Sequence, residues 1–123
     1  MSDEFFRVAR MEIKEEISKI EDIFSKCSTD RHIQDNAANI EQHFHKIKGL
    51  APMIGEFNIG KIASIIDSIL KHIIKSGTFP DSHLILTESF EKIKILFDKG
   101  DKSIEIKDFV ISIEKKISDV TTE

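Results

Sequence analysis

Apolar residues recur every three to four positions along nearly the whole chain, the period of one α-helix face, and they divide it into five segments. The first stripe, Phe6, Ala9, Ile13, Ile17, Ile20 and Phe24, predicts a helix from about residue 3 to 27, ended by Cys27 to Asp30. A second, Ile33, Ala37, Ile40, Phe44, Ile47 and Ala51, has Ser28, Thr29 or Asp30 as its cap and Pro52 near its end. After a turn at Gly55 the third runs through Ile59, Ile62, Ile66, Ile69 and Ile73. Ile65, Leu70 and Ile74 widen it, so this helix is expected to touch neighbours over much of its circumference. Ser76-Gly77-Thr78-Phe79-Pro80 stops it. Leu86, Phe90, Ile93 and Phe97 mark a fourth helix ending at Gly100, and Ile106, Val110, Ile113, Ile117 and Val120 a fifth. Short connections make successive helices antiparallel neighbours. The expectation is one all-α domain spanning 1–123, an antiparallel four-helix bundle core plus one extra helix.

The chain has 23 Ile and only five Leu, and β-branched residues favour strands intrinsically. Periodicity decides against strands. Strict alternation is nearly absent beyond Ile104 to Ile106, whereas the helical spacing persists for several turns in every segment, and burial of a whole stripe outweighs small propensity differences.

Composition narrows the function classes. The formal net charge is −4 and the lysines are interspersed with acids, which argues against a nucleic-acid surface. Cys27 is the sole cysteine, so no internal disulfide or cysteine cluster for zinc can form, and a reducing cytosol suits it. No secretory leader or membrane-spanning apolar run is evident, so a cytoplasmic protein is expected.

One run carries chemistry: His45-Lys46-Ile47-Lys48-Gly49-Leu50-Ala51-Pro52-Met53-Ile54-Gly55, a His-x-x-Lys-Gly-x5-Gly pattern. With this chain's own counts of His, Lys and Gly, a chance match is expected roughly 0.001 times. At about 100° per residue, His45 lies about 120° from the centre of the second apolar stripe, at the boundary or facing solvent. An exposed neutral imidazole is a competent nucleophile, and a carboxylate on its other nitrogen would fix the tautomer. Glu41, one turn earlier, can reach it; Asp67, at the rim of the third stripe, is a second candidate. Lys48 offers positive charge where a phosphoryl group would add about two negative charges. Gly49 leaves the ring uncovered for a partner, and Gly55 serves the turn. His32, His43, His72 and His83 are read as solvated. No metal site is expected, because no Glu-x-x-His pair of the kind that builds bundle metal centres occurs.

The His45, Lys48, Gly49 and Gly55 pattern resembles the signature of histidine-containing phosphotransfer (HPt) domains. Together with the Asp3-Glu4-Phe5-Phe6 opening, Glu12 and Glu16, and the five-helix length, it is most similar to the N-terminal phosphotransfer domain of chemotaxis kinases of the CheA type, across essentially the whole chain. That resemblance implies phosphorylation of His45 by the catalytic domain of a histidine kinase and transfer to an aspartate of a response-regulator receiver domain. It also implies a monomer. Partners would dock on the face formed by Glu41, Lys48 and Gly49. The family's acid on the following helix, usually Glu, is replaced here by Asp67. No cofactor is expected on this chain, which lacks a glycine-rich phosphate loop; ATP and Mg²⁺ would be held at partner sites. Ser64 stands where relatives often carry a second histidine, and Pro52 removes the amide that would bond the Lys48 carbonyl, favouring a kink or early helix end. A stand-alone carrier and a piece of a longer kinase share this chemistry. A non-phosphorylated adaptor bundle is the alternative outside that class, and a metal-binding bundle the weakest.

Overall fold

Ser2 accepts a hydrogen bond from the Phe5 amide and so starts α1, Asp3–Phe24, with Asp3 and Glu4 at its positive end. The computed structural model describes residues 2–100 and 105–121, and of Val120 and Thr121 only the backbone; Ile104 and the Val120 side chain are thus outside the described residues. α1 ends three residues before Cys27 because the amides of Lys26 and Cys27 turn back to the carbonyls of Ile23 and Phe24, tightening the chain out of the α-helix. Thr29, of the three candidates, caps α2, Asp30–Leu50, by accepting from the His32 amide.

Pro52 acts as its chemistry requires. α2 continues past Lys48 to Leu50, and Pro52 then occupies the first position of a short 3₁₀ turn, Pro52–Ile54, where a missing amide costs little. Gly55 closes that turn with φ 80°, a conformation costly for residues with a Cβ. The next helix, α3, Phe57–Ser76, passes so close that a Cβ on Gly60 would lie 2.8 Å from Pro52 Cγ. Gly60→Ala is therefore expected to destabilise the protein by about 1–3 kcal/mol through overpacking. Urea denaturation measures it, and an unchanged midpoint would show that the Pro52 turn yields freely.

Gln34 of α2 clamps the end of α3, donating from Nε2 to the Ile73 carbonyl at 3.3 Å and accepting from the Thr78 amide on Oε1 at 2.8 Å. Ser82 and Phe79 then exchange side-chain and backbone hydrogen bonds at the entry to α4, Ser82–Lys99. The last helix, α5, spans Lys107–Thr121. Among the described residues there is no strand, and the chain is an all-α helical bundle. No helix of the described residues is long and apolar enough to cross a membrane.

Side-chain pairings show the directions of the helices. Gln34 meets Ile73 while His45 meets Asp67, so α2 and α3 are antiparallel. Arg10 reaches the Phe97 carbonyl while Glu21 pairs with Lys94, so α1 and α4 are antiparallel too. Arg10 also pairs with Glu56 at 3.0 Å, tying the start of α1 to the start of α3 and the end of α4. Between the helices, Phe24, Phe44 and Phe90 form an aromatic cluster with ring centroids 5.3 to 6.3 Å apart, two of the three contacts edge-on. The buried isoleucines of α1, α2 and α3 surround it. α5 is the additional helix: it lies against α3 and buries Val110 and Ile113, with Ile106 just before it also buried.

Candidate functional site

His45 leaves α2 between Phe44 and Ile47, both fully buried, yet its own side chain is 59% exposed. Its Nδ1 turns toward α3 and lies 3.3 Å from Oδ2 of Asp67 and 3.7 Å from Oε2 of Glu41. The imidazole's opposite edge, with Nε2, is thereby left on the solvent side. The structure brings together His45, Glu41, Lys48 and Asp67, the four residues to which the sequence assigns chemistry at the acceptor. Lys48 Nζ donates to Asp67 Oδ2 at 3.4 Å.

Asp67 differs from its expected place. The sequence pattern predicts the rim of the apolar stripe, but its side chain is only 1% exposed, sealed between α2 and α3. The stripe of α3 is wide enough that α2 covers its edge. Oδ2 carries the contacts to His45, Lys48 and Lys71, the last at 3.1 Å, while Oδ1 is buried with no hydrogen-bond partner. Burial pushes the Asp67 carboxyl up, but hydrogen bonds with Glu41, Lys71 and His45 and the charge of Lys71 outweigh it and hold it at about 2. Glu41 moves the other way: its hydrogen bond with Asp67, then burial and the Asp67 charge, push it up. Asp67 is thus the anion of the pair. Because that anion only accepts, the hydrogen between it and His45 belongs to Nδ1, and the Nε2 lone pair points outward.

Asp67→Ala is accordingly expected to remove the bias toward the Nδ1–H tautomer of His45, read from imidazole ¹⁵N shifts. An unchanged tautomer would show that Glu41 alone orients the ring.

Lys71 was not anticipated from the motif, although the Asp67-x-x-x-Lys71 spacing puts both on one helix face. Gly49 is shown by its surroundings to be dispensable for packing: an added Cβ would meet nothing within 4 Å. A groove of about 700 Å³ runs beside His45 between α1 and α2, lined among others by Glu12, Glu15, Lys46, Leu50 and Met53. Ser64 lies on a different side of α3, in the groove facing α5.

Of the remaining histidines, only His32 is exposed. The expectation that all four are solvated is corrected by tertiary pairing. His43 packs its Nδ1 3.3 Å from Glu16, a buried glutamate that also holds Lys46 at 3.2 Å. Hydrogen bonds from Lys46 and His43 draw the Glu16 carboxyl down in spite of the larger opposing effect of burial. His83 Nε2 donates to the Cys27 carbonyl at 2.9 Å, and His72 is half-buried beside the Phe79 ring. Cys27 is buried, and burial pushes its thiol up, so it is no nucleophile near neutral pH.

The chain matches no protein-family model, no curated protein and no solved structure. The geometry of the site therefore carries the functional argument.

Proposed function

We propose that the protein is a phosphoryl carrier of the histidine-containing phosphotransfer type, with His45 as the acceptor. The observation that supports this most directly is an exposed imidazole whose Nδ1 is engaged by a buried carboxylate, leaving Nε2 outward and lysines beside it.

In the forward step the Nε2 lone pair attacks the γ-phosphorus of ATP held with Mg²⁺ by a histidine kinase domain, and the bond to the ADP oxygen breaks. The ring keeps its Nδ1 proton and becomes positive as the N–P bond forms. Asp67, buried and anionic, faces that charge. Lys48 and Lys71, 38% and 55% exposed, have freedom to swing toward the added phosphoryl oxygens. In the return step an aspartate oxygen of a receiver domain attacks phosphorus, the N–P bond breaks, and its electron pair returns to Nε2. Open space at Gly49 supports close approach of either partner, because a glycine not needed for packing leaves the ring reachable. By its sequence resemblance the carrier belongs in a chemotaxis-type two-component relay in the cytoplasm, acting as a monomer that holds no cofactor of its own.

Incubation with ATP and a panel of histidine kinase catalytic domains tests the reading. The expected product is a label stable in base and labile in acid, at one phosphoryl group per chain. Failure to label with any of them, or an acid-stable label, would overturn it and leave the docking-adaptor reading.

A further inference from the structure

Glu41, His45 and Asp67 meet in a way that acceptor chemistry alone does not use. One nitrogen or oxygen from each lies within 4.8 Å of the others. His45 Nδ1 is 3.3 Å from Asp67 Oδ2 and 3.7 Å from Glu41 Oε2. Two ligand atoms bound to one tetrahedral Zn²⁺ at the usual lengths are about 3.4 Å apart. The trio therefore needs little rearrangement to hold such an ion.

A second observation points to a ligand. Oδ1 of Asp67 is buried with no hydrogen-bond donor on it, which is costly for a carboxylate oxygen unless a proton or cation is shared there. Both carboxylates must be deprotonated to bind a metal ion. The ammonium groups of Lys48 and Lys71 occupy Oδ2 in the metal-free state, and both side chains reach solvent and can withdraw into it. Two carboxylates then balance the charge of a divalent ion. The imidazole ligand favours Zn²⁺ over Mg²⁺ or Ca²⁺, which take oxygen ligands.

We propose that Glu41, His45 and Asp67 form a reversible Zn²⁺ site, and that metal binding and phosphoryl acceptance exclude each other. The exclusion follows from the imidazole. A metal on Nδ1 displaces the Nδ1 proton, so the neutral ring carries its one hydrogen on Nε2, where the attacking lone pair would be. The ion thus blocks the acceptor without covering it. The metal site stands on the geometry alone; the exclusion rests on the phosphoryl-carrier reading.

Titration of the whole chain with ZnCl₂ in a non-coordinating buffer, followed by calorimetry and imidazole ¹⁵N NMR, tests both parts. One ion per chain is expected, with the His45 signal moving from the Nδ1–H to the Nε2–H tautomer. His45→Gln, at an exposed position, and Glu41→Gln, at a half-buried one, should weaken binding at least about tenfold. Asp67→Asn should do the same if circular dichroism shows it folded. No binding at millimolar Zn²⁺, a tautomer that does not change, or full affinity in His45→Gln would overturn the proposal; the last would place the ion elsewhere, with His43 and Glu16 the next candidate pair. Zinc binding without any phosphorylation in metal-free assays would refute the carrier reading and the exclusion while keeping the site. Phosphorylation without zinc binding would do the reverse.

Discussion

His45→Gln is expected to lose all phosphoryl label, falling to the level of a kinase-only control, while the protein stays folded. Glutamine has no nucleophilic nitrogen of the imidazole kind, yet its amide can still donate a hydrogen bond to Asp67. The buried anion therefore keeps a partner, and an exposed position is expected to change stability by no more than about 0.5 kcal/mol. The loss would then be chemical, not structural. Two of the other histidines are badly placed as acceptors: His43 is held against Glu16, and His83 donates its Nε2 hydrogen to the Cys27 carbonyl. Phosphorylation followed by circular dichroism on the same sample separates the two causes. Substantial label on His45→Gln would mean that another group is the acceptor and that the His45 assignment is wrong.

Phe44→Ala carries the largest expected cost in stability. Phe44 is fully buried next to the acceptor histidine and contacts both Phe24 and Phe90, so its ring links α2 to the end of α1 and the middle of α4. Truncation removes the ring's transfer free energy, two aromatic contacts and leaves a cavity between three helices, a loss of about 3–5 kcal/mol. That is a large share of the roughly 5–15 kcal/mol typical of a domain. Thermal unfolding should shift down by more than about 10 °C. A loss below about 1 kcal/mol would show that the neighbouring isoleucines collapse into the space and that the aromatic cluster is not a keystone of the bundle.

The five helices were legible in the sequence because burial on one side leaves a periodic record. Most of the stripe residues of α1 to α4 are buried, with Ile13, Ile20, Ile33, Ile40, Ile47, Ile59, Ile66 and Ile93 fully enclosed, but Phe6 near the start of α1 and Ile74 near the end of α3 are exposed, because no neighbouring helix covers them there. Caps were legible less sharply, since three adjacent polar residues offered themselves for α2 and only backbone geometry selected Thr29. The sequence pattern puts the end of α1 three residues late, because an apolar Cys27 continues the look of the stripe after the hydrogen bonding has already tightened.

At the site, local spacing was enough to place His45 off the core stripe with Glu41 and Lys48 on its face. The fit of Asp67 was only a candidate, and its burial was not foreseen at all. Whether a residue at a stripe's edge meets water depends on how far the neighbouring helix overlaps it, and helix overlap is not recorded in one helix's own sequence. The same holds for Glu16 reaching His43 and Lys46 across α1 and α2, and for Gly60 beneath Pro52. Each of these joins residues from different helices or turns on an axial register that only packing sets. Periodicity and spacing along the chain were thus sufficient for helix identity, for the face on which the acceptor lies and for its nearest intrahelical neighbours. The acid that orients the acceptor and the hydrogen bonds and charge that hold Asp67 anionic despite its burial arise only when α2 lies along α3, because desolvation and charge pairing depend on distance in space and not on separation in sequence.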